Sequence, residues 1–102
     1  MPTYILLTTL TPEGSQSLHK DPDRLENVNK EIKDFGCSVV TQYAVLGGYD
    51  FVTIVDAPDN ETVAHLSVEL SSRGTLKIVT LPAIPTSQLR AKLKHSKHMS
   101  RS

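Results

Sequence analysis

Between Thr3 and Leu10 apolar side chains fall on both sides of an extended chain, with Tyr4, Leu6 and Leu10 on one face and Ile5 and Leu7 on the other, which predicts a two-faced strand. Thr11-Pro12-Glu13 then reads as a cap followed by proline at a first helical position, giving a short helical turn toward Leu18. Asp21-Pro22-Asp23 is a second start, with two acids near the positive end of the helix dipole. From Pro22 to Phe35, the residues Leu25, Val28, Ile32 and Phe35 recur at spacings of three and four, one apolar stripe that Gly36 closes in the left-handed position. Glu26 and Lys30 lie four apart on the outer, charged face.

The second half repeats the alternation. Val39, Thr41, Tyr43 and Val45 alternate with Val40, Gln42, Ala44 and Leu46, and Phe51, Thr53 and Val55 alternate with Val52 and Ile54. Between these strands, Gly47-Gly48-Tyr49-Asp50 reads as a turn. Its glycines permit positive φ, and Asp50 can bond backbone at the start of the next strand. Pro58-Asp59 opens a helix to about Arg73 with Val63, Leu66 and Leu70 inward, Gly74 ends it, and Thr75 to Leu81 forms the last strand. The predicted order is strand, helix, strand, strand, helix, strand. That is the split βαβ arrangement of a ferredoxin-like α+β fold, an antiparallel four-stranded sheet with both helices on one face. Because apolar residues recur on both faces of every strand, the uncovered face calls for a partner, and the simplest is the same sheet of a second copy.

Composition adds an asymmetry. The 102 residues carry eleven basic and eleven acidic side chains, but Arg90, Lys92, Lys94, Lys97 and Arg101 all follow Pro85 with no acid among them. The chain divides into an acidic domain, residues 1–84, and a basic tail, residues 85–102. Thr86 or Ser87 starts a short tail helix with Leu89 and Leu93 four apart. Two leucines cannot hold such a helix alone in water, so its first turns are expected to dock on a neighbouring subunit, with the end fraying from His95 to Ser102. A nucleic-acid arm is disfavoured, since no aromatic residue is interleaved for stacking. The Met1 to Leu10 run lacks the basic start and small-residue cleavage site of a signal peptide, and no segment is long enough to cross a bilayer. Cys37 is the one cysteine, which fits a reducing, cytoplasmic setting and a buried structural thiol.

The Gly48-Tyr49-Asp50 hairpin, the Pro22-Asp23-Arg24-Leu25 helix start, the Asp56-Ala57-Pro58-Asp59 strand exit and Thr80-Leu81 together resemble the GYD domain family over roughly residues 3–84. The resemblance implies a ferredoxin-like subunit of the dimeric α/β barrel type, with two sheets closing face to face, and carries no established activity. Fold alone does not decide chemistry.

The candidate ligand-binding residues are Tyr43, Tyr49 and Asp50. Tyr43, with Thr41, Arg24 and Arg73, could line a pocket between sheet and helices, where a buried phenol seeks a hydrogen-bond partner. Tyr49 and Asp50 could offer a hydroxyl and a carboxylate at the mouth of the sheet; the plainer reading is that Asp50 locks the turn and Tyr49 packs over the rim. Glu61, His65 and Glu69 repeat every four residues, but the stripe lacks a fourth ligand and reads as a solvated helix face, as His19 reads as a surface or capping residue. No catalytic residue, metal or cofactor is assigned, since Cys37 has no neighbouring histidine in sequence and no glycine-rich phosphate loop is present. The functional expectation is a homo-oligomeric binding or regulatory module for a small molecule. The alternatives are a cofactor-independent enzyme of the small monooxygenase or isomerase type and a basic-tailed adaptor for nucleic acid.

Overall fold

A computed structural model describes residues 1–95. Eight elements follow one another among them: β1 (Thr3–Leu10), α1 (Pro12–Lys20), α2 (Arg24–Asp34), β2 (Ser38–Ala44), β3 (Phe51–Asp56), α3 (Asn60–Ser71), β4 (Leu76–Ala83) and α4 (Thr86–His95). The strands form one antiparallel sheet in the order β2-β3-β1-β4, the ferredoxin-like arrangement expected from the sequence.

The core lies between this sheet and the helices. Tyr4 and Leu6 of β1 and Val55 of β3 meet Ile32 of α2 and Val63, Leu66 and Leu70 of α3. Cys37 and Ala57, at the ends of the flanking segments, complete the buried cluster. Both expected stripes therefore face inward. Gly36 takes the left-handed conformation (φ 84°) that lets the chain leave α2 for β2. Asp59 caps α3, its carboxylate accepting from the Thr62 amide at 2.8 Å and the Thr62 hydroxyl at 2.6 Å.

Three local features depart from the sequence expectation. The turn toward Leu18 is a full helix, α1, whose N-cap Thr11 accepts from the Gly14 amide at 3.1 Å and donates its hydroxyl to the Gly74 carbonyl at 2.7 Å. Thr11 N–H also donates to the Thr75 carbonyl at 3.0 Å, so α1 is pinned to the start of β4. A Cβ at Gly14 would lie 1.8 Å from that same carbonyl oxygen, a closeness only glycine allows. Of the two adjacent glycines in the β2–β3 connection, only Gly47 uses positive φ (106°).

The third departure is a register shift between Val39 and Thr41, a β-bulge that inserts an extra residue into β2. Val39 pairs with the buried Val55 and packs on the core, but beyond the bulge Gln42 pairs with Thr53, and Tyr43 with Val52. Strict alternation from Val39 would have turned Tyr43 toward the helices; the bulge turns it to the open side.

That open side carries two cross-strand rows. Leu81, Ile5 and Ile54 follow one another across β4, β1 and β3, and Val79, Leu7 and Val52 form the next row, which Tyr43 extends onto β2. Leu81 is 41% exposed, and no helix of the described residues covers these rows. Helix α4 buries none of its residues, and Leu93 is 61% exposed. The expected fraying lies, beyond His95, outside the described residues.

Candidate functional site

Polar residues at core-facing strand positions gather at one site. Thr8 follows Tyr4 and Leu6 on the inner side of β1, Thr53 precedes Val55 on β3, and Gln42 is brought to the same side by the bulge. The Gln42 amide donates to Thr53 Oγ1 at 2.9 Å and exchanges two bonds with the Asn29 amide of α2, at 3.1 and 3.2 Å. Two polar core positions thus satisfy one another and tie β2 to α2.

Beside them a cavity of about 80 Å³ opens between the sheet and α1 and α2. Leu6, Leu25, Ile32, Phe51, Leu70 and Ile78 give it an apolar wall. Thr8, Thr53, Gln42, Ser17 and Arg24 supply polar groups. Among the described residues Arg24 is the one ionisable side chain in its lining, so no acid or base is positioned there for proton transfer. An adjoining cleft is bounded by Arg24, Asn27, Glu31 and Arg73. In it Arg73 grips Glu31 with both terminal nitrogens, Nη1 donating to Oε1 at 2.7 Å and Nη2 to Oε2. That fork holds the Glu31 carboxyl below, and the Arg73 guanidinium above, its ordinary range. Arg24 and Arg73, both read from the sequence as pocket candidates, do meet at one opening.

Tyr43, Tyr49 and Asp50 do not join this site. Tyr43 is 60% exposed and stands on the open sheet face. Tyr49 is 38% exposed, in the β2–β3 connection. Asp50 is engaged structurally. Its Oδ2 accepts from Leu10 N–H at 2.7 Å, its own N–H donates to the Thr8 carbonyl at 2.8 Å, and its carbonyl accepts from Val45 N–H at 2.9 Å. The carboxylate thus fastens the connection to the end of β1, forty residues away in sequence, and not to its own turn.

Elsewhere, burial raises the Tyr4 phenol, the charges of Asp59 and Glu61 and the Cys37 thiol add to the shift, and its hydroxyl donates to Asn60 Oδ1. Burial, then Asp59, pushes the Cys37 thiol up, the inert state of a structural cysteine. His65 sets its ring edge-on to Phe35 (5.0 Å, 71°), and no group of three or more His, Cys, Asp or Glu among the described residues is placed to hold a metal. No helix among them is long and apolar enough to cross a membrane. Sequence reasoning passed over Thr8 and Gln42. For Thr8 the signal was a polar residue at an inward strand position; for Gln42 the bulge hid it.

The GYD domain profile matches residues 4–93, which takes in all of the sheet but its first residue, the hairpin and most of α4. The chain belongs to the GYD domain family. A Thermus thermophilus relative, described as a glutamine synthetase and cystathionine beta-lyase binding protein, is 54% identical over 95 residues, 92% of this chain and all of the relative. Among solved structures, FFRP-DM1 is similar with a TM-score of 0.55 at 18% identity, over 82% of this chain and all of that one, a likeness of fold. TTHA0845, also from Thermus thermophilus, is 21% identical, with a TM-score of 0.48 over 83% of this chain and 95% of that one. The GYD match reaches into α4, beyond the stretch to residue 84 on which the sequence resemblance rests.

Proposed function

We propose that this GYD domain is a cytoplasmic, homo-oligomeric binding module that docks on metabolic enzymes, with glutamine synthetase and cystathionine β-lyase as its partners. The observation that carries the reading is the 54% identity to a binding protein of that description along the relative's entire length. The site chemistry agrees, because a cavity with a lone guanidinium as its ionisable group suits recognition better than acid–base catalysis.

Self-association is part of the proposal. The rows Leu81-Ile5-Ile54 and Val79-Leu7-Val52 form a contiguous apolar face of the kind that marks an interface. A second copy laid sheet to sheet would give the dimeric barrel. In that arrangement residues 1–84 form the associating domain, and residues 85–102 are a basic arm available to an acidic surface, with Tyr43 at the interface. Leu81→Lys should leave a folded monomer by sedimentation, and an unchanged oligomer would remove this face from the interface.

Immobilised full-length chain should bind purified glutamine synthetase and cystathionine β-lyase saturably in biolayer interferometry. Failure to bind either enzyme, by a chain shown to be folded, would overturn the docking assignment.

A further inference from the structure

The cavity between sheet and helices has two features that the docking of enzymes does not use. Thr8 is only 9% exposed and lines the cavity, yet its hydroxyl enters no side-chain hydrogen bond among the described residues. Every fully buried polar side-chain atom among them does have a partner, so this hydroxyl is one that still reaches cavity space. A hydroxyl at an inward strand position that faces open cavity space is available as donor or acceptor to a molecule that enters it. Thr53 and Gln42, which share the lining, already bond to each other. The second feature is charge. Arg24 lies in the walls of both the cavity and the adjoining cleft, and the cleft's acid, Glu31, is occupied by Arg73. Arg24 itself makes no ion pair among the described residues. Arg24 is also the first residue of α2, where the helix dipole is positive and Asp23 and Glu26 stand beside it.

An apolar pocket with one free hydroxyl and a guanidinium without an ion-pair partner at its opening selects a ligand by chemistry. The wall wants a hydrocarbon body, Arg24 wants an anion of planar, two-oxygen geometry, and Thr8 wants one further donor or acceptor. At about 80 Å³ the space is roughly half of the ~150 Å³ that admits benzene, so the body inside it is a chain of about three or four carbons beyond the carboxylate at the opening. We infer that this cavity is a binding site for a short aliphatic carboxylate bearing one additional hydrogen-bonding group, with Arg24 holding the carboxylate and Thr8 the second group. The site rests on the cavity alone and is independent of the enzyme partners.

Isothermal titration of the full-length chain with sodium pentanoate, sodium 5-hydroxypentanoate and 1-pentanol tests it. Both carboxylates should bind saturably, and the alcohol about tenfold or more weakly, since it gives up a charge-assisted bond. The hydroxy acid should bind about fivefold tighter than pentanoate, the worth of one ordinary hydrogen bond. Arg24→Gln should erase the preference for carboxylate over alcohol, and Thr8→Val, nearly isosteric, should erase the preference for the hydroxy acid. Circular dichroism establishes that both variants are folded. Equal binding of pentanol and pentanoate, retention of the carboxylate preference in Arg24→Gln, or no saturable heat at millimolar ligand would each overturn the assignment.

Discussion

Gly14→Ala should destabilise this protein although alanine is the better helix former. In a helix the exchange ordinarily gains about 0.5–1 kcal/mol. Here the new Cβ would sit 1.8 Å from the Thr75 carbonyl oxygen and 2.8 Å from its carbon, all backbone atoms that no rotamer change can move aside. Ordinary contact starts at 3.4 Å, so α1 and the start of β4 must separate by about 1.6 Å. That movement opens the Thr11 N–H bond to Thr75 (3.0 Å) and the Thr11 hydroxyl bond to Gly74 (2.7 Å). Each is worth about 1 kcal/mol, and residual overpacking adds about 1 kcal/mol or more. Net of the helical gain, the loss is about 2 kcal/mol, a fall in Tm on the order of 10 °C for a domain of this size. Urea unfolding followed by far-UV circular dichroism measures it, with two controls. Gly48→Ala has open space and no positive φ and should be neutral or slightly stabilising; Gly47→Ala has open space but φ of 106° and should cost about 1–2 kcal/mol from strain alone. A Gly14→Ala chain as stable as the parent would refute the close approach of α1 to β4.

Three further outcomes follow from side chains already placed. Asp50→Ala leaves the Leu10 N–H without its 2.7 Å acceptor and should cost about 2 kcal/mol, whereas Asp50→Asn keeps an acceptor and should cost less; urea midpoints decide, and an unperturbed Asp50→Ala would free the carboxylate for a ligand role. Cys37, buried with its thiol pushed up, should react with Ellman's reagent at neutral pH only as fast as the chain unfolds, so rapid labelling of the native protein would contradict its placement. Asp59 is held below its ordinary value by the Thr62 bonds, so its contribution is complete above that value and lost as pH falls through the lower folded one. Asp59→Asn keeps a capping oxygen that does not titrate, and the acid loss of stability should be shallower in that variant; identical acid limbs would count against the cap.

The elements were legible because their signals are local. The stripes Leu25-Val28-Ile32-Phe35 and Val63-Leu66-Leu70 need only helical spacing, and both face the core. Two-sided apolar strands likewise pointed to a sheet with one face left open, and the open rows on β1, β3 and β4 match that reading. What the sequence hid depends on positions distant along the chain. The bulge between Val39 and Thr41 has no residue signature, yet it exchanges Tyr43 for Gln42 on the helix side. Asp50 looked like a turn residue because its partner, Leu10, lies forty positions earlier. Gly14 carries no local signal of its role, since the carbonyl it must clear belongs to Thr75. Arg24 and Arg73 were both singled out, but their division of labour, one paired with Glu31 and one facing the cavity mouth, exists only once α2 and the end of α3 are side by side.

Native mass spectrometry of the full-length chain, alone and mixed with purified glutamine synthetase, bears most directly on the proposal of an associating, enzyme-docking module. An even-numbered assembly that adds as a unit to the enzyme is the expected result. A monomer that leaves the enzyme's mass unchanged would contradict both the sheet-to-sheet association and the docking function.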